Sequence, residues 1–286
     1  MNVLSAYRSL NAEQKRILTE KQVDLNRPIE ELLTLLKPLA GCDAVADKAR
    51  MPLGCTAAAA LVLMIPLTIV LGNTAGAAPA YFVFGVLLAL GIGALSLYIW
   101  TRRIDISNNF REFILPVLSV FREDIDPAQP VHLKLDLAPP TAKTKLQSEG
   151  EPYKRGAYYK IIDKVFVDKW MTASAVLVDG SRLSWSITDE IRERSKTKKN
   201  PRGKIKTKTK YRKKTDIEVE LGLRSKAYEI EAPAEAEIKR GEKRNTVRLE
   251  REQRSDSLDP IAPTALIDVI TDIFRNARPA KKEAGA

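Results

Sequence analysis

Residues 51–100 contain no Asp, Glu, Lys, Arg or His, in a chain of 286 residues of which 29% are charged. No other feature limits the possible folds as strongly. Within this block, residues 51–72 and 80–100 are two apolar runs of the length a helix needs to cross about 30 Å of hydrocarbon at about 1.5 Å per residue. Asn73 to Pro79 between them is short, uncharged and turn-forming. The pattern predicts a two-helix transmembrane hairpin. Core helices of soluble proteins rarely run so long without a charge. A secretory signal would begin near residue 1, whereas here a charged segment comes first. Pro52-Leu53-Gly54-Cys55 faintly resembles a lipoprotein cleavage box, but the apolar run follows the Cys instead of preceding it, which excludes lipidation there.

Flanking charge sets the expected orientation. Lys48 and Arg50 precede the first run, Arg102 and Arg103 follow the second, and the connection has no charge. The positive-inside rule places both ends in the cytoplasm. A two-helix anchor with a basic β domain fits many bacterial inner-membrane proteins, so that is the expected location. Two Cys in the whole chain exclude a disulfide scaffold, and Cys42 and Cys55 are expected as free thiols. The absence of ionisable groups in the apolar helices argues against a pump or transporter acting alone. Gly85, Ala89 and Gly93 recur every four residues and so share one helix face. Small residues at this spacing let helices approach closely. Packing of the second helix on the first is the main expectation, and self-association into a homo-oligomer is the alternative. Pro66 is expected to kink the first helix.

The expected fold class is an α+β membrane protein in four parts. Residues 1–50 form cytoplasmic helices, with Asn11 capping a helix over 12–21 and Asn26 capping a second that has Pro28, Glu30 and Glu31 in its first turn. The apolar face of the second, Ile29, Leu32, Leu33, Leu35 and Leu36, needs a partner surface. Residues 51–100 are the hairpin. Residues 101–278 form a mainly antiparallel β domain with a helix at each end. The first helix, over 109–122, is bent or split by Pro116 and lies under the domain or in the headgroup layer. Strands are expected at 131–137, 158–167, 171–178, 183–191, 226–230 and 246–252, with a surface loop at 141–156, a turn at Asp179-Gly180 and a final helix over 264–278. Residues 279–286 read as a disordered tail.

Charge is concentrated in one segment. Residues 192–214 carry 13 Lys and Arg and one acid, Glu193, for a net of +12, while the whole chain nets +11. Lys204, Lys206, Lys208, Lys210, Arg212 and Lys214 occupy alternate positions, with Lys213 the exception. A strand would place those six on one side. Asn200-Pro201-Arg202-Gly203 is a turn signal, so 182–199 should fold antiparallel to 204–221 as a long basic β-hairpin. The candidate anion-binding residues are Arg192, Arg194, Lys196, Lys198, Lys199, Arg202, Lys204, Lys206, Lys208, Lys210, Arg212, Lys213 and Lys214. Anionic lipid headgroups or an acidic protein are the expected partners. A solvated loop, a tether for RNA or DNA, and an accessory subunit of a larger membrane complex are the alternatives.

No catalytic or cofactor motif is present. The single His132 lies on the polar side of an alternating strand, no Gly-rich phosphate loop occurs, and Asp163, Asp168, Asp179 and Asp189 read as strand-end or turn acids. The expectation is a non-enzymatic binding or scaffold protein without cofactor or metal. Converging acids in a cleft would revive an enzyme.

Overall fold

The computed structural model describes residues 2–230 and 236–280. In order, helices α1 (Val3–Arg8) and α2 (Ala12–Glu20) lead into strand β1 (Gln22–Arg27). Helices α3 (Ile29–Thr74) and α4 (Ala77–Arg103) follow. The chain divides into two compact units. The first comprises Met1–Glu20 and Leu35–Ile106, and the second Lys21–Thr34 and Ser107–Ala286. This differs from a simple N-terminal, hairpin and β-domain division, because 21–34 belongs with the sheet. The expected Asn26-capped helix starts instead at Ile29, and the residues before it are a strand.

In the first unit, Asn11 Oδ1 accepts the Gln14 N–H at 2.8 Å, and Gln14 Oε1 accepts the Asn11 N–H at 2.9 Å. This reciprocal cap starts α2 where the sequence placed it. α3 and α4 are long and apolar enough to cross a membrane, and only 11% and 6% of their most apolar stretches are buried. α3 stays helical through Pro38, Pro52 and Pro66. The two helices run antiparallel and meet where side chains are smallest. A Cβ built on Gly72 would lie 3.8 Å from Ala80, one on Gly54 would lie 3.4 Å from Tyr98, and one on Gly91 would lie 2.9 Å from Leu61. At the open end Arg50 bridges Asp47 (3.1 Å) on α3 and Asp105 (2.8 Å) beyond α4.

The small-residue stripe does not serve this packing. Gly85, Ala89 and Gly93 are exposed, and a Cβ on either glycine meets nothing within 4 Å. The residues buried on α4 are Ala80, Gly91, Ala94 and Thr101. The main expectation for the stripe is therefore corrected: the periodicity was real, but it marks the outward face. Gly91→Leu should disrupt the hairpin by about 1–3 kcal/mol through overpacking, while Gly85→Leu should leave the monomer unchanged. Thermal unfolding of the full chain in detergent distinguishes them, and equal melting shifts would refute this packing assignment.

In the second unit, a π-type turn over Phe110–Ile114 runs into α5 (Leu115–Phe121), so the expected 109–122 helix is split beside Pro116. The strands follow as β2 (Val131–Asp136), β3 (Leu146–Glu149), β4 (Tyr153–Arg155), β5 (Tyr158–Val176), β6 (Arg182–Lys199), β7 (Ile205–Arg224), β8 (Tyr228–Ile230), β9 (Glu237–Lys239) and β10 (Arg244–Ser255). Helix α6 (Thr264–Arg275) and β11 (Ala277–Pro279) close the order. The sheet is antiparallel in the order β1-β2-β5-β6-β7-β10-β9, with β3 and β4 on the far part of β5. β8 pairs with β11, so Pro279 belongs to a strand and not to a tail. Residues 281–286 of the expected tail lie outside the described residues. The expected loop at 141–156 contains β3 and β4.

One face of the sheet is the core. Leu25, Leu133, Ala173, Trp185, Val219 and Leu249 form one row across six strands by direct pairing. Phe110, Phe113, Ile114, Val117, Leu118 and Phe121 are all buried. Phe113 meets Trp170 edge-on at 5.2 Å, and Phe121 meets Trp185 at 5.5 Å, so this stripe packs on the sheet. α6 buries Leu266, Val269, Ile270 and Ile273, and Arg251 holds Asp272 on it at 2.7 Å.

β5 explains a phase break in the sequence. The expected strands 158–167 and 171–178 are one continuous strand whose register shifts between Lys169 and Met171. The extra residue, Trp170, is a bulge. In a regular strand of the same length Asp168 and Met171, three residues apart, would face opposite ways. With the bulge, both are buried, at 2% and 0% exposure.

Candidate functional site

The basic segment folds as β6, a tight turn and β7. Lys199 pairs with Ile205, the Asn200 N–H donates to the Lys204 carbonyl at 2.9 Å, and Gly203 takes φ +80°. That left-handed geometry suits glycine. Pairing runs without slip from there to Arg182↔Gly222.

Register decides what the ribbon displays. Arg192 faces Arg212, Arg194 faces Lys210, Lys196 faces Lys208 and Lys198 faces Lys206. Directly paired residues share a face, so eight cations project from one side in four like-charged pairs. Each such pair costs on the order of 0.2–1 kcal/mol. The opposite side carries a hydroxyl ladder, with Ser195 to Thr209 at 3.1 Å and Thr197 to Thr207 at 3.0 Å. The arm is also broader than a bare hairpin. β5 accompanies β6 as far as Lys160↔Thr197, and β4 lines β5.

Acidic partners are confined to the base of the arm. Arg194 Nε donates to Asp163 at 2.6 Å, and this contact holds the Asp163 carboxyl below the ordinary range. Arg192 meets Glu190 at 2.8 Å, Arg212 approaches Asp256 at 3.7 Å, and Lys214 lies between Asp216 (3.2 Å) and Glu252 (3.0 Å). Lys196 sits over the Tyr158 ring at 5.6 Å. Lys198, Lys199, Arg202, Lys204, Lys206, Lys208 and Lys210 have no acidic partner among the described residues. The outer sheet face therefore changes along its length, from paired charge at the base to uncompensated positive charge at the tip.

Lys213 leaves the set. It is 4% exposed, lies in the buried phase of β7 with Thr215 and Ile217, and donates to the Asp259 carbonyl. Its break in the alternation marked an inward-facing residue, not a thirteenth surface cation. Lys199 also differs from its neighbours, because it pairs with Ile205 on the hydroxyl side.

Lys213 belongs to a buried polar cluster at the root of the arm. Asp168 on β5 pairs directly with Asp189 on β6, and both are 2% exposed. Lys145, from the turn before β3, places Nζ 2.8 Å from Asp168, 3.3 Å from Asp136 and 2.9 Å from the Ala138 carbonyl. The Thr215 hydroxyl donates to Asp189 at 2.6 Å. Burial pushes the Asp168 carboxyl up to about 6 against the opposing pull of Lys145. Burial likewise raises Asp189, opposed by Thr215 and Lys213, and lowers Lys213, opposed by Asp189. Asp168 and Asp189 are therefore not turn or strand-end acids: they converge in the interior, where Lys145 pairs with Asp168 and Thr215 donates to Asp189.

This chain matches no known protein-family model, and no curated protein or solved structure is significantly similar to it. The remaining candidates have local explanations. His132 Nε2 lies 3.0 Å from Asp24 on the neighbouring strand. Asp43, Asp47 and Asp105 gather within 4.8 Å of one another in the first unit, where Arg50 supplies their cation. Cys42 is a buried free thiol and Cys55 an exposed one.

Proposed function

We propose that this chain is a membrane-anchored, non-enzymatic binding protein whose basic ribbon contacts anionic lipid headgroups. The observation that carries the reading is the four-rung cation face, unneutralised toward its tip. Four like-charged pairs are costly in isolation. An anionic surface turns that cost into binding, with about 1 kcal/mol from each cation that reaches it. Four or five such contacts would supply about 4–5 kcal/mol.

The anchor in this reading is the α3–α4 hairpin, with both ends in the cytoplasm, where anionic headgroups face the protein. The apolar side chains it leaves exposed support insertion: Val62 (71%), Phe82 (73%) and Ile65 (60%) would lie in lipid. The sheet unit then acts as a scaffold that presents the ribbon. Asp168 and Asp189 are buried, the one paired with Lys145 and the other accepting from Thr215, which favours a structural role for them.

Lysine acetylation footprinting of the full chain in nanodiscs tests the reading. Lys206, Lys208 and Lys210 should react several-fold more slowly in discs containing phosphatidylglycerol than in phosphatidylcholine discs. The difference should vanish near 1 M salt, where screening extends only about 3 Å. Lys143 and Lys239 serve as references. Equal rates in both discs would sink the lipid reading, and protection by added RNA alone would favour a nucleic-acid tether.

A further inference from the structure

The sheet leaves a gap beside β7. On one side β7 is paired with β6 from Ile205 to Gly222. On the other side β10 accompanies it only as far as Ser255↔Lys213. There the chain leaves the sheet, and among the described residues no strand pairs with 205–212 on that side. Every second residue of such an edge turns its N–H and C=O outward without a partner strand. At about 3.3 Å per residue the open lane is roughly 26 Å long. Two hollows, of about 440 and 730 Å³, share Arg212 and Asp256; the larger extends across β6 to Asp163 and Val165 on β5.

We propose that this edge is a docking lane for an acidic, extended segment of a partner protein, which adds to the sheet as a strand. Backbone pairing along an exposed edge is an established recognition mode. The edge's own side chains select the occupant. Lys206, Lys208, Lys210 and Arg212 project to one side, and Thr207, Thr209 and Tyr211 to the other. A neutral or basic strand is repelled, which is how lysines ordinarily protect an edge. A strand with acids at alternate positions meets a cation at each one and offers its other side chains to the hydroxyl ladder. The fitting segment therefore alternates Asp or Glu with Thr, Ser or Val. What is new here is the open backbone edge of β7; the selecting cations are the β7 half of the cation face, and the pairing does not rest on lipid contact. Nucleic acid and headgroups carry no peptide ladder and cannot satisfy the open amides in register.

The test uses the full chain in phosphatidylcholine nanodiscs and two eight-residue peptides of one composition. One alternates Glu and Thr, and the other has its Glu residues in a block before its Thr residues. The alternating peptide should bind at least about tenfold more tightly near physiological salt. It should also slow hydrogen exchange at alternate amides within 205–212. Equal affinities, or exchange unchanged in that stretch, would overturn the proposal. So would the same alternating protection produced by an oligonucleotide or by phosphatidylglycerol discs. Reversing the edge charges with Lys206→Glu, Lys208→Glu and Lys210→Glu should move the preference to a Lys-Thr alternating peptide with the same protected amides. Failure of that transfer would also count against strand addition. Because the lipid reading is judged by acetylation in anionic discs, either one can fail alone.

Discussion

Lys145→Met is expected to destabilise the sheet unit by about 3–5 kcal/mol at neutral pH, because it strips the partner from a buried carboxylate. Lys145 is held in place by three acceptors, the carboxylates of Asp168 and Asp136 and the Ala138 carbonyl. Its side chain is 5% exposed and that of Asp168 is 2% exposed, so solvent cannot replace either partner. Met fills similar space but offers no charge. Removing both charges should be much milder: Lys145→Met with Asp168→Leu is expected to fall within about 1 kcal/mol of the parent, since a buried pair often contributes little net stability over an apolar one. Denaturant unfolding followed by the fluorescence of Trp170 and Trp185 reports on this unit. A single variant as stable as the parent, or a double variant worse than the single, would show that the two residues are not energetically coupled.

The same carboxyl should give the sheet unit an unusual pH dependence. Burial raises the folded Asp168 to about 6, above its ordinary value of 3.8. The folded state therefore binds the proton more tightly than the unfolded state does. Its contribution is fully present below the unfolded value, declines as pH rises between the two, and is gone above about 6. A shift of about two units corresponds to about 3 kcal/mol. Asp163 and Glu252, whose carboxyls are lowered mainly by Arg194 and Lys214, work in the opposite direction, so the total curve mixes both. The difference between wild type and Asp168→Asn isolates the one group. That difference should change by about 3 kcal/mol between about pH 4 and pH 6 and then level off. A flat difference would mean that Asp168 is not buried as a charge.

The elements legible in the sequence were those with a sustained period. The two apolar helices and the β6–β7 hairpin declare themselves over about twenty residues each, and the hairpin's turn carries its own Asn-Pro-Arg-Gly mark. What stayed hidden depends on distant partners. β1 is six residues, Gln-Val-Asp-Leu-Asn-Arg, wedged between helices, and it becomes a strand only by pairing with β2 more than a hundred residues later. The end of the charged segment suggested a boundary at 50, but α3 runs unbroken across it from Ile29 to Thr74. The Gly85 stripe showed a shared face without showing which way the face turned. Lys145 gave no sign at all, since a lysine in a polar turn looks the same whether it points outward or into a core. Lys213 did give one: a charge out of phase with its neighbours is a candidate for the interior.

The bulge at Trp170 and the slip-free pairing above it have a consequence for how such an arm can vary. Strand register tolerates changes in steps of two residues and is inverted by one. Two residues inserted in each strand near the turn would add one complete rung, with two more cations on the same face and the interior untouched. The arm's length, and with it the strength of electrostatic attachment, can therefore be graded across sequences by small paired insertions or deletions.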